Sequence, residues 1–251
     1  MHRITRRLLV AVILLSWAHG ASAQTAEDIV EKAVAAMGGR AALGKIKSRL
    51  TVGTITLSTP AGEISGTVEI LNEAPNKSRS LIKADLSALG AGQLVLDQRF
   101  NGTSGYVLDS LQGNRDITGN QLDNLRNSAF PSGFLNYKEM GAFVRLVGKE
   151  KVGEHDTHVI TFEPTAGSVV RQYIDAETYL PLKMSIKMDV PQLGQQVEQA
   201  TEFFDYQVVD GITLPFQLRA SSAIQNYVVT IAKVEHNVRV DETLFSKPAV
   251  P

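Results

Sequence analysis

The side chains of this sequence that could bind a metal are its histidines, and their spacing argues against a site. His155 and His158 lie three positions apart. In a strand that spacing turns the two imidazoles to opposite faces, so they could not readily hold one ion. A turn at residues 154–157 would allow chelation, but no third ligand is near in sequence. His236 lies among alternating residues and is expected on a sheet surface. We therefore predict no metal site.

Groups that could catalyse a reaction are equally dispersed. The chain has no cysteine, and no serine lies at a strand-to-helix turn with flanking glycines. Asp175 and Asp210 each end a strand before a turn, where an aspartate commonly caps the turn through its own side chain. The glycines at 38–39 and 148–153 lack the strand, loop and helix order of a phosphate site. The sequence therefore predicts no catalytic residue, no cofactor and no enzymatic activity.

The elements that would position any site are strands with one apolar face. Within residues 173–240 a strand, a turn and a Leu-Pro pair occur twice, at Leu180-Pro181 and at Leu214-Pro215. Apolar residues alternate around each pair, which indicates strands with one buried and one solvated face, as in an open antiparallel sheet. The apolar positions that share a face are Leu182, Met184, Ile186, Met188 and Val190 in the first copy and Ile212, Leu214, Phe216, Leu218 and Ala220 in the second.

The rest of the chain adds one N-terminal helix and more strands. Residues 25–37 have helical periodicity, with Thr25 as a suitable N-cap and two glycines at 38–39 to end the helix. From Ile46 onward the pattern is typical of strands. The apolar phase flips around Gly53, which predicts a bulge, and Asn101-Gly102 predicts a tight hairpin. Successive strands at this spacing favour a meander that closes toward a barrel.

A helical insertion interrupts the strands. Residues 118–129 have helical character, and residues 132–142 are rich in aromatic and apolar side chains. An insertion of roughly 25 residues is longer than ordinary connections and is typical of a lid or a binding loop. We predict that this lid presents four apolar residues to the sheet: Leu122, Leu125, Phe130 and Phe134.

The N-terminus has the pattern of a cleaved secretory signal. Basic residues at 3–7 precede an apolar run at 8–15 and the small residues Ala21, Ser22 and Ala23. That run is shorter than the roughly 20 residues that a spanning helix needs. We predict cleavage after Ala23, a periplasmic location, and one domain over residues 24–251. The full chain has 25 basic and 26 acidic residues, a balance that does not suit nucleic-acid binding.

These features together resemble the periplasmic lipoprotein-carrier superfamily, the LolA/LolB-like fold. They are the export signal, the helix ending at residues 38–39, the long meander, the helical insertion near residues 118–140 and the two Leu-Pro phrases. The resemblance is closer to outer-membrane lipoprotein-sorting-like proteins than to the carrier itself. It implies a mainly β (α+β) fold, a strongly curved antiparallel half-barrel of about ten or eleven strands. The helix and the short lid would cover its concave face and enclose a cavity able to hold acyl chains.

The resulting functional hypothesis is a non-enzymatic periplasmic carrier or binding protein for a hydrophobic ligand, either a lipid or the acyl chains of a lipoprotein. Apolar walls provide most of the binding in such pockets. The residues expected to line it are Leu182, Met184, Ile186, Met188, Leu214, Phe216 and Leu218. Methionine suits varied apolar partners, but core filling beneath the N-terminal helix explains the two methionines equally well.

Two other hypotheses remain open at this point. An envelope interaction module of the same fold would dock a partner protein on an exposed strand edge instead of carrying a ligand. A hydrolase would need two or more carboxylates that converge on one cleft, which the sequence does not predict. No transmembrane segment is expected in the mature chain, and the sequence does not identify the ligand.

Overall fold

One antiparallel sheet of thirteen strands dominates the computed structural model, which describes residues 24–190 and 194–248. The strands are β1 (Ser48–Thr59), β2 (Gly62–Glu73), β3 (Lys77–Asp85), β4 (Gln93–Phe100), β5 (Gly105–Asp109), β6 (Arg115–Ile117), β7 (Phe143–Val152), β8 (His155–Glu163), β9 (Val170–Asp175), β10 (Pro181–Val190), β11 (Gln195–Val209), β12 (Ile212–Ser222) and β13 (Asn226–His236). Three α-helices accompany them: α1 (Ala26–Ala36), α2 (Arg40–Leu43) and α3 (Gly119–Arg126).

The order of the strands explains why the insertion crosses the sheet. It runs β6-β5-β4-β3-β2-β1-β13-β12-β11-β10-β9-β8-β7, so the consecutive strands β6 and β7 are the two opposite edges. Thirteen strands spaced about 4.8 Å apart would, if flat, separate these edges by roughly 58 Å. Residues 118–142 must therefore pass from one edge to the other over one face.

Contacts of α3 show how strongly the sheet curves. At one side Arg126 donates from Nη2 to the carbonyl oxygen of Thr103, in the turn between β4 and β5, at 3.2 Å. At the other side Asn124 donates from Nδ2 to Ser168 Oγ, just before β9, at 3.3 Å. A helix of eight residues is only about 12 Å long. The two halves of the sheet therefore curl toward each other, and the predicted half-barrel with a helical lid on its concave face is confirmed.

The first and last strands join the two halves of the half-barrel. β1 pairs with β13, and the register shifts between Val52 and Gly53. A Cβ atom on Gly53 would lie 2.2 Å from the carbonyl oxygen of Thr230, closer than any side chain tolerates. The bulge predicted from the phase flip is therefore present, and its place is fixed by a glycine that lets the two backbones approach.

Helix α1 lies against the concave face and begins as predicted. Thr25 caps it, accepting a hydrogen bond from the Asp28 backbone N–H while the Asp28 carboxylate accepts one from the Thr25 N–H, each at 3.1 Å. Its apolar side is fully buried against residues such as Ile160 and Ile212. Gly38 follows with φ of 117° and passes so close to Gly211 that a Cβ atom would lie 2.3 Å from its carbonyl oxygen.

Two apolar clusters divide the concave face. The first joins α1, α2 and residues 130–137 to β8, β9 and β12. The second lies on β1, β2, β3 and β13, where Ile55, Val68 and Val229 pack together. The predicted coverage of the sheet by the N-terminal helix and the lid thus applies to one half, whereas in the other half the apolar residues of neighbouring strands pack on one another.

Other expectations have different outcomes. The thirteen strands exceed the about ten or eleven implied by the resemblance, partly because β6 has three residues and alternation cannot reveal so short a strand. The signal sequence at residues 1–23, with cleavage after Ala23, lies outside the described residues. Within the described part of the chain, no helix reaches the length and apolarity required to cross a membrane.

Candidate hydrophobic ligand site

A cavity of about 320 Å³ lies between the sheet and the insertion. Strands β8, β9 and β10 form its floor, and residues 127–142 form its roof. Its lining has no charged side chain, and the larger apolar members are Phe134, Tyr137, Met140, Phe162, Val170 and Met184. A cavity of this size and character suits the apolar part of a small ligand.

Aromatic rings of the roof contact an aromatic ring of the floor. The rings of Phe134 and Phe162 have centroids 5.3 Å apart and planes at 86°. Tyr137 contacts the same Phe162 ring at 5.7 Å and 82°. Edge-to-face pairs of this kind contribute about 0.5–1.5 kcal/mol each beyond the area they bury. The roof is therefore held to the sheet by specific ring contacts as well as by general apolar burial.

Hydrogen bonds also hold the roof, one at Phe130 and one at Leu135. The backbone N–H of Phe130 donates to the carbonyl oxygen of Pro75 at 2.8 Å, which ties the roof to the turn between β2 and β3. Arg40 Nη1 donates to the carbonyl oxygen of Leu135 at 3.3 Å. The middle of the segment, residues 132–134, has no comparable tie to the sheet backbone among the contacts of the described residues. The roof is thus tied by hydrogen bonds at Phe130 and Leu135 and packed by side chains between them.

Gln172 is the polar exception on the floor. It shares a face of β9 with Val170 and Ile174, and its cross-strand neighbours are Ile160 and Met184. The Oε1 atom of Gln172 is buried and has no hydrogen-bond partner in the protein. Leaving such a group unpaired costs about 1–3 kcal/mol. Among the described residues that line the cavity, no other buried side-chain nitrogen or oxygen lacks a hydrogen-bond partner.

Three polar residues of the cavity lining already form hydrogen bonds within the protein. Asn127 donates from Nδ2 to the carbonyl oxygen of Ala166 at 2.7 Å. Ser128 Oγ donates to the carbonyl oxygen of Asn124 at 2.9 Å, and Ser168 Oγ donates to that of Lys187 at 2.6 Å. The donor groups of these three side chains are therefore satisfied without a ligand.

A buried cationic network lies under another part of the roof. Arg49 on β1 donates from Nε to Nε2 of His236 at 3.1 Å, and its guanidinium carbon lies 5.2 Å from the centroid of the Phe130 ring. Its Nη2 atom is buried without a partner. Burial lowers the pKa of Arg49 to about 10, so this arginine remains charged at neutral pH in a poorly solvated place.

His236 completes this network and corrects one prediction. Its side chain is only 2% exposed, so the expected position on the sheet surface is wrong. Nε2 accepts from Arg49, which leaves Nδ1 to donate to the Asp210 carboxylate at 3.0 Å. Burial lowers the pKa of His236, the Arg49 charge adds to that effect, and Asp210 opposes it.

Asp175 and Asp210, the two aspartates at strand ends, differ in what their carboxylates contact. Asp175 caps its turn as predicted, because its Oδ1 accepts from the backbone N–H groups of Glu177 at 2.9 Å and Thr178 at 2.7 Å. Burial would raise the pKa of Asp175, but these bonds and His155 outweigh it and the pKa is lowered. Asp210 adopts a positive φ of 51° in its turn, and its carboxylate turns instead to His236.

His155 and His158 each contact another side chain. His155 Nδ1 lies 2.9 Å from Asp175 Oδ2. The ring of His158 stacks on Tyr179 with centroids 6.0 Å apart, and burial together with nearby lysines lowers its pKa. Across residues 24–190 and 194–248, no three histidine, aspartate or glutamate side chains are grouped as a metal would require.

The structure separates the predicted pocket residues over the concave face. Met184 lines the cavity, while Leu214 packs against the α1 cluster and Leu218 against the second cluster. Phe216 is buried, and Leu182, Ile186 and Met188 are half-buried. Ile186 borders a different opening, which includes charged residues such as Arg171. Their role in ligand binding stays a prediction.

The predicted lid residues also have distinct positions. Phe134 lines the cavity, and both Phe130 and Phe134 are buried in the cluster with α1. Leu125 reaches β5, where its Cδ1 lies 3.1 Å from the place of a Cβ on Gly105. Leu122 is half-buried on α3. Residues 127–142, more than α3 itself, cover the cavity, and whether they move to admit a ligand also stays a prediction.

Sequence reasoning missed two polar residues of this region, Gln172 and Arg49. A signal for Gln172 exists, since it takes an apolar position in the alternation of Val170 and Ile174. Arg49 has a weaker signal because it neighbours the apolar Leu50 at the start of β1. Neither residue could be assigned to a buried site before the strand partners were known.

Comparison with known proteins gives the fold. No family model matches the sequence, and no curated protein matches it. Solved structures do match, each at 14% identity. A DUF1329 family protein from Desulfovibrio piger has a TM-score of 0.56 over 88% of this chain and 97% of that chain. A LolA superfamily protein from Nitrosomonas europaea has a TM-score of 0.55 over 89% and 98%. A domain described as an outer membrane lipoprotein-sorting protein, from Vibrio parahaemolyticus, has a TM-score of 0.53 over 88% and 95%. At this identity the likeness concerns the fold alone, and it confirms the predicted LolA-like architecture.

Proposed function

We propose that this chain, which has the LolA-like fold, is a non-enzymatic binding or carrier protein for a hydrophobic ligand such as a lipid or an acylated protein. The observation that carries the proposal is the roofed, uncharged cavity of about 320 Å³ between β8–β10 and residues 127–142. Within the proposal Met184 and Phe134 contact the ligand directly. The apolar residues Leu214 and Leu218 support the same face from neighbouring clusters.

Two further observations support the proposal. The structural neighbours from Nitrosomonas europaea and Vibrio parahaemolyticus are described as a LolA superfamily protein and a lipoprotein-sorting protein domain. The signal pattern at residues 1–23 fits a periplasmic site of action, where a lipid or an acyl chain needs shelter from water. Carriage needs no catalytic group, only an apolar interior and a removable cover.

The proposal is tested by filling the cavity. The substitution Val170→Phe adds a ring to the floor, whereas Val208→Phe makes the same change at a position that is 69% exposed on β11. Titration with the neutral apolar dye N-phenyl-1-naphthylamine should show binding to the parent protein and to Val208→Phe. We expect Val170→Phe to weaken dye binding about tenfold or more, a loss of at least about 1.4 kcal/mol.

Native mass spectrometry gives an independent result. Protein purified without detergent from the expressing cells should carry a co-purified apolar molecule, and Val170→Phe should carry less of it. A parent protein that is empty, and that binds neither dye nor added acyl chains, would contradict the proposed function. Equal dye binding by Val170→Phe and the parent would place the ligand elsewhere than in this cavity.

A docking function has one specific observation in its favour. Strand β7 is an edge of the sheet and is paired on one side by β8. Its apolar residues Phe143 and Val147 are 73% and 50% exposed. A partner strand could pair with such an edge and cover these side chains. The test is to cross-link the protein in the expressing cells and to recover the partner protein attached to it. The double substitution Phe143→Ser with Val147→Lys should lower that recovery about tenfold and leave dye binding intact. Unchanged recovery would count against docking at β7.

A further inference from the structure

We infer that the cavity selects a single, uncharged chain that carries one hydroxyl or amide group, which pairs with the side-chain amide of Gln172. This inference rests on the proposed function and deepens it by naming the class of ligand. Three properties of the cavity lead to it: its volume, its lack of charge and the position of Gln172.

The volume limits the buried part of the ligand to one short chain. The cavity has a volume of about 320 Å³. Ligand pockets commonly span about 300–1,000 Å³, which places this one at the small end. A lipid with two or three long chains could not enter with all of them.

The absence of charge limits the polarity of what is buried. No lysine, arginine, histidine, aspartate or glutamate lines the cavity. A carboxylate or phosphate inside would lose its hydration without a cationic partner, which is strongly unfavourable. The ligand must therefore be neutral where it meets the floor, and any charged part must lie outside the cavity.

Gln172 provides the one group on the floor that can recognise a polar atom. The side chains of its neighbours across the strands, Ile160 and Met184, have no N–H or O–H group to donate to its Oε1 atom. Its Oε1 atom is buried and unpaired, while Asn127, Ser128 and Ser168 already bond to backbone carbonyl oxygens. A primary amide has one acceptor oxygen and two N–H donors. A hydroxyl or an amide can satisfy either end, whereas an alkane can satisfy neither.

The alternative explanation is that the protein tolerates the unpaired Oε1 atom of Gln172 and that this side chain has no role in ligand binding. In that case its replacement by leucine would stabilise the protein and leave the preference among ligands unchanged. Recognition predicts a different result, because the preference for a hydroxyl ligand would disappear with the amide. The two explanations are therefore separated by ligand selectivity and not by stability.

The test compares ligands that differ by one donor. We would measure displacement of N-phenyl-1-naphthylamine by 1-decanol and by its methyl ether, which keeps the oxygen but lacks the O–H group. Decanoate and a two-chain phosphatidylcholine complete the set. The parent protein should bind 1-decanol about tenfold more tightly than the ether, the effect of one hydrogen bond to a buried group. Decanoate should bind more weakly than 1-decanol, and the two-chain lipid should displace little dye.

The variants assign the preference to Gln172. In Gln172→Leu the tenfold difference between 1-decanol and its ether should vanish, with both displacements referred to the dye affinity measured for that variant. Gln172→Met, a closer match in shape, repeats the test if the leucine variant does not fold. Gln217→Leu is the control, because residue 217 lies between the apolar Phe216 and Leu218 on β12 and so faces the other side of the sheet. It should keep the parent preference.

The outcomes distinguish the inference from the proposed function. If the dye, the alcohol and the ether all fail to bind, the proposed function is wrong and the inference falls with it. If both compounds bind equally to the parent protein, or if the preference survives in Gln172→Leu and Gln172→Met, the inference alone is overturned. Tighter binding of phosphatidylcholine than of 1-decanol would also overturn it, through the size limit.

Discussion

Asp97 on β4 is the carboxylate whose removal should most clearly reveal what holds one half of the sheet together. Its Oδ1 accepts from Arg79 Nε at 2.9 Å, and its Oδ2 accepts from Nη2 of Arg79 and of Arg99, each at 2.8 Å. The Asp97 side chain is 6% exposed, and those of the two arginines are 13% and 14% exposed. One carboxylate is therefore the shared ion-pair partner of two largely buried guanidinium groups on β3 and β4.

The expected loss of stability in Asp97→Asn follows from that burial. Breaking a buried ion pair by removing one partner costs about 3–5 kcal/mol, since the other charge is left unpaired. Here the loss is moderated, because Arg79 also lies 3.6 Å from Glu69 and Arg99 donates to the carbonyl oxygen of Ser246 at 3.2 Å. We therefore expect the free energy of unfolding to fall by about 3 kcal/mol.

The matched control is an exposed pair on the other half of the sheet. Lys151 and Asp156 are 3.1 Å apart, and their side chains are 63% and 71% exposed. An exposed pair contributes about 0–1 kcal/mol, so Asp156→Asn should change stability very little. Equilibrium unfolding in urea at pH 7, with both variants and the parent protein, measures the difference. A loss in Asp97→Asn no greater than that in Asp156→Asn would refute the argument from burial.

The pH dependence checks the same reasoning independently. Burial would raise the pKa of Asp97, but the hydrogen bonds and charges of Arg79 and Arg99 outweigh burial and lower it. A carboxylate with a lowered pKa in the folded state stabilises the protein above its ordinary pKa of about 3.9, and this contribution is lost as the pH falls further. The stability gap between the parent and Asp97→Asn should therefore be constant near neutral pH and narrow below about pH 4. A gap that widens on acidification would contradict the assigned cause.

Two other substitutions test the roof and the bulge. Phe134→Ala removes the ring whose centroid lies 5.3 Å from that of Phe162. We expect the free energy of unfolding in urea to fall by about 3–4 kcal/mol and the variant to bind bulkier apolar dyes. Unchanged stability would show that the roof does not depend on this ring. Gly53→Ala places a Cβ 2.2 Å from the Thr230 carbonyl oxygen, so we expect a loss of about 2 kcal/mol or more and faster hydrogen exchange along β1 and β13. Gly133→Ala, which meets nothing within 4 Å, is its control, and equal effects of the two changes would argue against the close approach at the bulge.

Much of the architecture follows from local sequence patterns. The helix at residues 26–36 depends on a capping box and an apolar stripe that lie within one segment. The bulge at Gly53 and the turn at Asn101-Gly102 depend on a few neighbouring residues. These features could be predicted because local backbone preference and alternation act over short distances, whatever the rest of the chain does.

The lid illustrates where prediction from sequence reaches its limit. The insertion was recognisable by its length and composition, but its path depends on the strand order, in which β6 and β7 are opposite edges. Only that order requires residues 118–142 to cross the concave face. It also explains why α3 has contacts on both halves of the sheet, to Thr103 and to Ser168.

The chemistry of single polar residues depended even more on tertiary structure. Alternation correctly indicated which strands have an apolar face, yet it spread the predicted pocket over residues that belong to different clusters, such as Met184 and Leu218. It also assigned His236 to the surface, although that side chain is buried beside Arg49 of β1. A residue's face is set by its own strand, whereas its burial is set by the register of the neighbouring strands and by what covers them.

By itself, therefore, the sequence determined a mainly β chain with one capped helix and one inserted segment. Tertiary structure decided that the sheet curls, that residues 127–142 cover a small uncharged cavity, and that the Oε1 atom of Gln172 is left unpaired on its floor. The physical reason is one of range. Alternation and capping involve residues a few positions apart, but a cavity exists only where segments far apart in sequence meet without filling the space between them.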